Sequence, residues 1–344
     1  MWNRRDFAKL AAVAAIAPSI GASPKDPEPR PIIKPKRLVA GQTVGLVSPA
    51  SAAFEADSIM LAKDQLEAMG LKVRIGAHAF DRWGYFAGRD RDRADDINKM
   101  FADDDISGIV CYTGGWGSPR VLPYLDYALI ARKPKVIIGY SDITALLNAI
   151  HKRTGLVTFH GPGGSSTIEP YSLENWRRVV MNAEPAGELR APGKKSTELV
   201  DRTNRIVRLA PGKASGRLVG GNLTMVSSLM GTPDQVVADG RILFLEDVHE
   251  EPYRIDRMLS QLALGGVFDR IAGFVWGRCS DCLIKGPSFS VEDLLHDRFG
   301  DGRAPAISGL SFGHIEQKLT LPIGVMATLD ANAGTLTIDE AAVL

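Results

Sequence analysis

The chain has 344 residues, of which 45% are hydrophobic and 24% charged, and its formal net charge is +1. Those proportions describe a globular protein with one large or two medium domains, and the balanced charge gives no reason to expect nucleic acid or an anionic surface as partner. Three cysteines are too few for a disulfide scaffold.

Asn3 to Lys9 is basic, the run Leu10 to Ile20 is apolar and alanine-rich, and Gly21-Ala22-Ser23 is small. That order describes an export signal, and Arg4-Arg5 ahead of Phe7 and Lys9 resembles the twin-arginine type. The run is too short for a spanning helix, which needs about 20 apolar residues. An amphipathic first helix fits less well, because the run is apolar all round and proline follows. No cysteine follows the small residues, so a lipid anchor is not supported. Residues 1–23 therefore read as a signal removed near Ala22 or Ser23, with 24–36 as a proline-rich linker. The mature protein is expected in the periplasm without a stable membrane anchor.

Thr43 to Val47 reads as a strand, followed by a helix with its apolar face at Ile59, Leu66 and Met69 that stops at Gly70. Leu71–Ile75 is a second strand, Arg89–Ala102 a polar-faced helix and Gly108–Tyr112 a third strand. Thr113-Gly-Gly-Trp-Gly-Ser118 then leads into a helix that opens at Pro119 and runs to about Ala131. Lys135 to Gly139 is a buried strand, Thr144 to His151 a helix, and only Tyr140, Ser141 and Asp142 separate them. Leu156–Phe159 and the helix Leu173–Asn182 complete a unit over 37–182. Strands alternating with helices imply a parallel sheet covered on both faces, with ligands beyond its strand ends.

Residues 183–204 are polar and without period, and read as an interdomain linker. Over 205–344 short strands dominate: 206–209, 217–219, 241–245, 271–276, 306–308, 325–330 and 335–338. Helices are expected at 223–230, 253–264 and 291–299. This reads as a smaller α/β domain rich in short strands.

Ser141 sits where a strand turns sharply into a helix, the setting of a nucleophile elbow. An N-cap is the alternative, since serine and aspartate are preferred caps and the Gly-x-Ser-x-Gly pattern is absent. A nucleophilic serine needs a base, and the base needs an acceptor. Among six histidines, His160 ends a strand before Gly-Pro and His314 follows Gly313 in a loop. Glu246 ends the apolar run from Arg241, where a carboxylate needs a partner. A salt bridge to Arg254 or Arg257 accounts for it equally well. The loop Gly114-Gly115-Trp116-Gly117 lacks the Lys-Ser/Thr of a P-loop, which argues against a phosphate cradle. Cys279-Ser-Asp-Cys282 reads as structural thiols, or as a local disulfide in an oxidising compartment, and not as a metal site.

These pieces together resemble the LD-carboxypeptidases, serine peptidases that include the muramoyl-tetrapeptide carboxypeptidases and the microcin-immunity peptidases. The resemblance begins at Leu38 to Ala50 and passes through Thr113 to Arg120, Gly139 to Asp142 and Gly216 to Leu223. It continues through Leu245-Glu-Asp247 with Tyr253 to Leu262, and ends at Gly313-His314 and Leu321-Pro-Ile-Gly324. It implies a flavodoxin-like N-terminal domain with the nucleophile Ser141, and a second domain carrying the acid Glu246 and the base His314. The active site would lie in the groove between them, and a homodimer is expected. Backbone N–H groups of Asp142 with Trp116 or Gly115 would form the oxyanion hole, and Gly114 and Asn222 would contact substrate. The implied reaction removes D-alanine from a murein tetrapeptide at an L-centre, with no cofactor and no metal. The alternatives are hydrolysis of a peptidyl-nucleotide antibiotic and a peptidoglycan-binding protein without catalysis. The sequence departs from many relatives at Ile315-Glu-Gln317, where a glycine commonly follows the histidine.

Overall fold

The computed structural model describes residues 30–193 and 204–344. The expected signal over 1–23 lies outside them, as do 24–29 of the expected linker and 194–203. Residues 31–344 form one unit, built on two sheets. Among the described residues no helix is long and apolar enough to cross a membrane.

The first sheet starts with five parallel strands: β1 (Thr43–Val47), β2 (Lys72–Ile75), β3 (Ile106–Cys111), β4 (Val136–Gly139) and β5 (Thr158–His160). Their spatial order is β2-β1-β3-β4-β5, the flavodoxin-like order that the family resemblance implies. All four residues of β4, Val-Ile-Ile-Gly, are buried. A central strand covered on both faces has to be apolar at every position, and each such isoleucine contributes about 1.5–3 kcal/mol. The helix expected from Pro119 to Ala131 is broken into Ser118–Val121, a turn at Leu122–Tyr124 and Tyr127–Arg132. Pro123 supplies no N–H there, and Asp126 recaps the chain by accepting from the Leu129 N–H at 2.8 Å.

The second sheet holds β6 (Gly187–Leu189), β7 (Val207–Ala210), β8 (Lys213–Asn222), β9 (Ile242–Val248), β10 (Gly273–Ser280) and β11 (Ala306–Ser308). After β12 (Leu321–Ile323), it also holds β13 (Met326–Asp330) and β14 (Thr335–Ile338). Its order is β6-β14-β13-β8-β9-β10-β11-β7. Strands β8 to β11 run parallel and the flanking strands antiparallel. The second sheet has eight strands and the first has six.

Two further segments differ from the sequence reading. Gly187–Leu189 falls in the expected linker, yet pairs with β14. Strand β12 follows His314 but leaves the second sheet and pairs antiparallel with β5, Leu321 opposite His160. Pro322 is accommodated because β12 is an edge strand. The chain around His314 is thus tied to both sheets. The described end of the expected linker is also pinned, since the Arg37 N–H donates to the Leu344 carbonyl and the Leu344 N–H to that of Pro35.

Candidate active site

Ser141 stands directly beyond β4 and Tyr140, at the start of a short 3-10 turn that feeds the helix Thr144–Thr154. Its φ is +65°, a left-handed conformation that costs a non-glycine residue about 1–3 kcal/mol. The cap alternative is not realised, since the serine hydroxyl accepts no helix N–H and instead lies 2.9 Å from His314 Nε2. The loop expected to supply oxyanion donors lies against this elbow. A Cβ on Gly114 would come within 2.7 Å of the Ser141 Cβ and 3.0 Å of the Asp142 nitrogen, so only glycine lets the two backbones approach. The Ser51 hydroxyl holds the Gly114 carbonyl at 2.7 Å. The buried Asp142 carboxylate accepts from the Ser118 N–H at 2.7 Å, while the Ser118 hydroxyl donates to the Asp142 carbonyl. Gly115 and Trp116, the latter exposed, follow in that loop.

Glu246 is fully buried near the end of β9. Its Oε2 lies 2.7 Å from His314 Nδ1. A carboxylate only accepts, so Nδ1 carries the proton and Nε2 is left to accept from the Ser141 hydroxyl. Burial pushes the Glu246 carboxyl up, but His160 close by and the bond from His314 pull it down further, to about 2. The acid is therefore ionised. The salt-bridge alternative is not realised: Arg254 pairs with Glu250, and Arg257 stacks over Tyr253. Gly313 makes the acid–base contact possible. At φ +110° its missing Cβ would meet Glu246 Oε2 at 2.7 Å. The His314 carbonyl accepts from the Ser280 hydroxyl at 2.7 Å, and Ser280 lies inside a Cys279–Cys282 disulfide. Of the two states left open for those cysteines, the structure has the bonded one.

Three residues remote in sequence thus form one hydrogen-bonded chain at the C-terminal ends of two parallel strands. Residues 44–161 match the LD-carboxypeptidase N-terminal domain and 215–329 the LD-carboxypeptidase C-terminal domain. A probable murein peptide carboxypeptidase of Bacillus subtilis is 36% identical over 89% of this chain and 94% of its own. The chain belongs to the LD-carboxypeptidase family. The murein tetrapeptide carboxypeptidase of Pseudomonas aeruginosa is 33% identical, over 84% of this chain and 93% of its own. The solved structure of the microcin C7 self-immunity protein MccF superposes with a TM-score of 0.82 at 28% identity, covering 91% of this chain and 100% of that one. Membership makes this LD-carboxypeptidase a hydrolase of the peptidase class with a mixed α/β fold.

Asn222, expected to contact substrate, is buried in this LD-carboxypeptidase. Its Oδ1 accepts from the Met225 N–H at 3.2 Å and its Nδ2 donates to Asp247 at 3.0 Å, so its amide caps the helix Leu223–Ser228 and ties that helix start to Asp247. Asp247, raised to about 6 by burial and by Glu246 beside it, also receives the Thr224 N–H and hydroxyl. One residue was underrated by sequence reasoning. His160 is buried, with Nε2 3.7 Å from Glu246 Oε1, and neither its ring nitrogens nor Oε1 finds a hydrogen-bond partner among the described residues. The rings of Tyr140, Phe244 and Phe312 enclose it. Its place at a strand end before Gly-Pro was the available signal, but only burial distinguishes it. Among the described residues, His78, Asp81 and Asp92 could converge on one ion.

Proposed function

We propose that this carboxypeptidase removes the terminal D-alanine of a murein tetrapeptide from the L-centre of a diamino acid, by serine catalysis. The observation that carries the reading is the chain Ser141 Oγ to His314 Nε2 at 2.9 Å and His314 Nδ1 to Glu246 Oε2 at 2.7 Å. Ser141 attacks the amide carbonyl while Nε2 takes its proton. Glu246 holds the ring and stabilises its charged form. The N–H groups of Asp142 and of Gly115 or Trp116 receive the oxyanion. Collapse breaks the amide bond as His314 returns the proton to the departing amine, leaving an acyl-serine ester. Water, deprotonated by the same nitrogen, then releases the tripeptide and restores Ser141. No step calls on a metal. The relatives with murein peptides in their names support the substrate class.

The purified protein should release D-alanine from murein tetrapeptide, unaffected by chelators. Binding without release would favour a peptidoglycan-binding protein, and turnover confined to a peptidyl-nucleotide would favour the MccF-like activity, which the TM-score of 0.82 recommends as the second reading. We further propose export, from Arg4-Arg5 ahead of Phe7 and the weakly apolar run behind it. Wild type should fractionate with the periplasm and the paired Arg→Lys variant should not; a full-length cytoplasmic wild type would remove this part of the proposal.

A further inference from the structure

Lys318 lies beyond the base in the loop that crosses from the second sheet to β12, and it is only 6% exposed. Its neighbours hold it firmly. The Lys318 N–H donates to the Ser172 hydroxyl at 2.9 Å, and the next N–H, of Leu319, to the Ser311 carbonyl at 2.7 Å. The ammonium itself is placed over the ring of Tyr140, 4.3 Å from its centroid. That ring packs against the His314 imidazole at 5.0 Å, and Tyr140 precedes Ser141 in the chain. Among the described residues no carboxylate lies in ion-pair range of Lys318 Nζ and no oxygen accepts from it. Surface lysines behave otherwise: Lys34, Lys63, Lys99 and Lys133 each meet a carboxylate.

A ring face returns less to a cation than withdrawing that ion from water costs. An ammonium on a nearly buried side chain with only this partner is a prepared anion site, and the ring it covers belongs to the residue before the nucleophile. The substrate of a carboxypeptidase carries its anion close by, because the α-carboxylate of the leaving residue is attached to the carbon next to the scissile nitrogen. We infer that Lys318 binds the terminal α-carboxylate of the substrate and so makes this site an exopeptidase site. The inference rests on the carboxypeptidase reading of the same cleft. It also fixes the kinetic signature. The carboxylate keeps its charge through the reaction, so Lys318 holds ground state and transition state alike and acts on KM more than on kcat.

The test compares a murein tetrapeptide with its C-terminal carboxamide. Binding is measured by calorimetry in a Ser141→Ala background, so that turnover plays no part. The free acid should bind more tightly than the amide by roughly 10–100-fold, the scale of a charge-assisted contact. Lys318→Met should erase that preference by weakening the acid alone, and Lys318→Arg should keep part of it. In otherwise unaltered enzyme, Lys318→Met should raise KM for the acid with kcat nearly unchanged. Equal binding of acid and amide with Lys318 present would overturn the inference, as would a preference that survives Lys318→Met. The first outcome needs no Lys318 variant to fold. Release of D-alanine by the wild type is scored separately: preference without release removes the proposed reaction and keeps the carboxylate site, and release without preference does the reverse.

Discussion

Ser141 is held by its own chain neighbours, and His314 by residues far away in sequence. On the first side, β4, the turn and the helix Thr144–Thr154 are contiguous, and one strained residue at φ +65° joins them. On the second side, the base sits in a loop between β11 and β12. It is set by Glu246, 68 positions away, and by Ser280, 34 positions away. The elbow is a rigid local device. The acid–base pair is a tertiary contact, sensitive to anything that moves the loop. That difference is what a set of variants can break or sharpen.

The largest effect is expected where the two sides meet. Ser141→Ala, His314→Ala and the double variant should each lose several orders of magnitude in kcat, to a similar floor, because parts of one unit do not add. Near-normal turnover by a folded Ser141→Ala protein would return the serine to a capping role. Next comes Gly313→Ala, which puts a methyl 2.7 Å from Glu246 Oε2 at a positive φ. Displacing the base by a fraction of an ångström to an ångström should lower kcat by about 100-fold. Gly286→Ala, where nothing lies within 4 Å, controls for the backbone strain and should keep full activity.

A smaller effect is expected from His160→Phe, and it is best read against pH. Glu246 is held at about 2 against an ordinary 4.5, so its contribution to stability is present above pH 4.5 and is lost as pH falls towards 2. Without His160 the carboxyl rises, the contribution shrinks and its loss is complete at a higher pH. Urea unfolding of both proteins between pH 2 and pH 6 measures this, and superimposable profiles would leave His160 a packing residue. The smallest effect is expected from opening Cys279–Cys282. The disulfide brackets the serine that holds the His314 carbonyl, so Cys279→Ser with Cys282→Ser should lower kcat a few-fold and leave the elbow untouched. An unchanged kcat would show that β10 positions Ser280 unaided.

The sequence by itself determined the elements whose partners are near. Five central strands and the helix after Ser141 follow from local apolar period, because contiguous residues bury one another and glycine ends the strand. The candidate triad was legible through residue types at strand ends and through motifs in one family's order. Tertiary structure decided the rest. Strand β6 lies in a polar stretch without period, and β12 contains a proline that only an edge position excuses. Asn222 reads from the sequence as a substrate contact, and only the fold shows that its amide also caps a helix and meets Asp247. His160 and Lys318 look like any other histidine and lysine until burial removes their water. A polar group's meaning depends on which partners replace that water, and those partners lie across two sheets from distant parts of the chain.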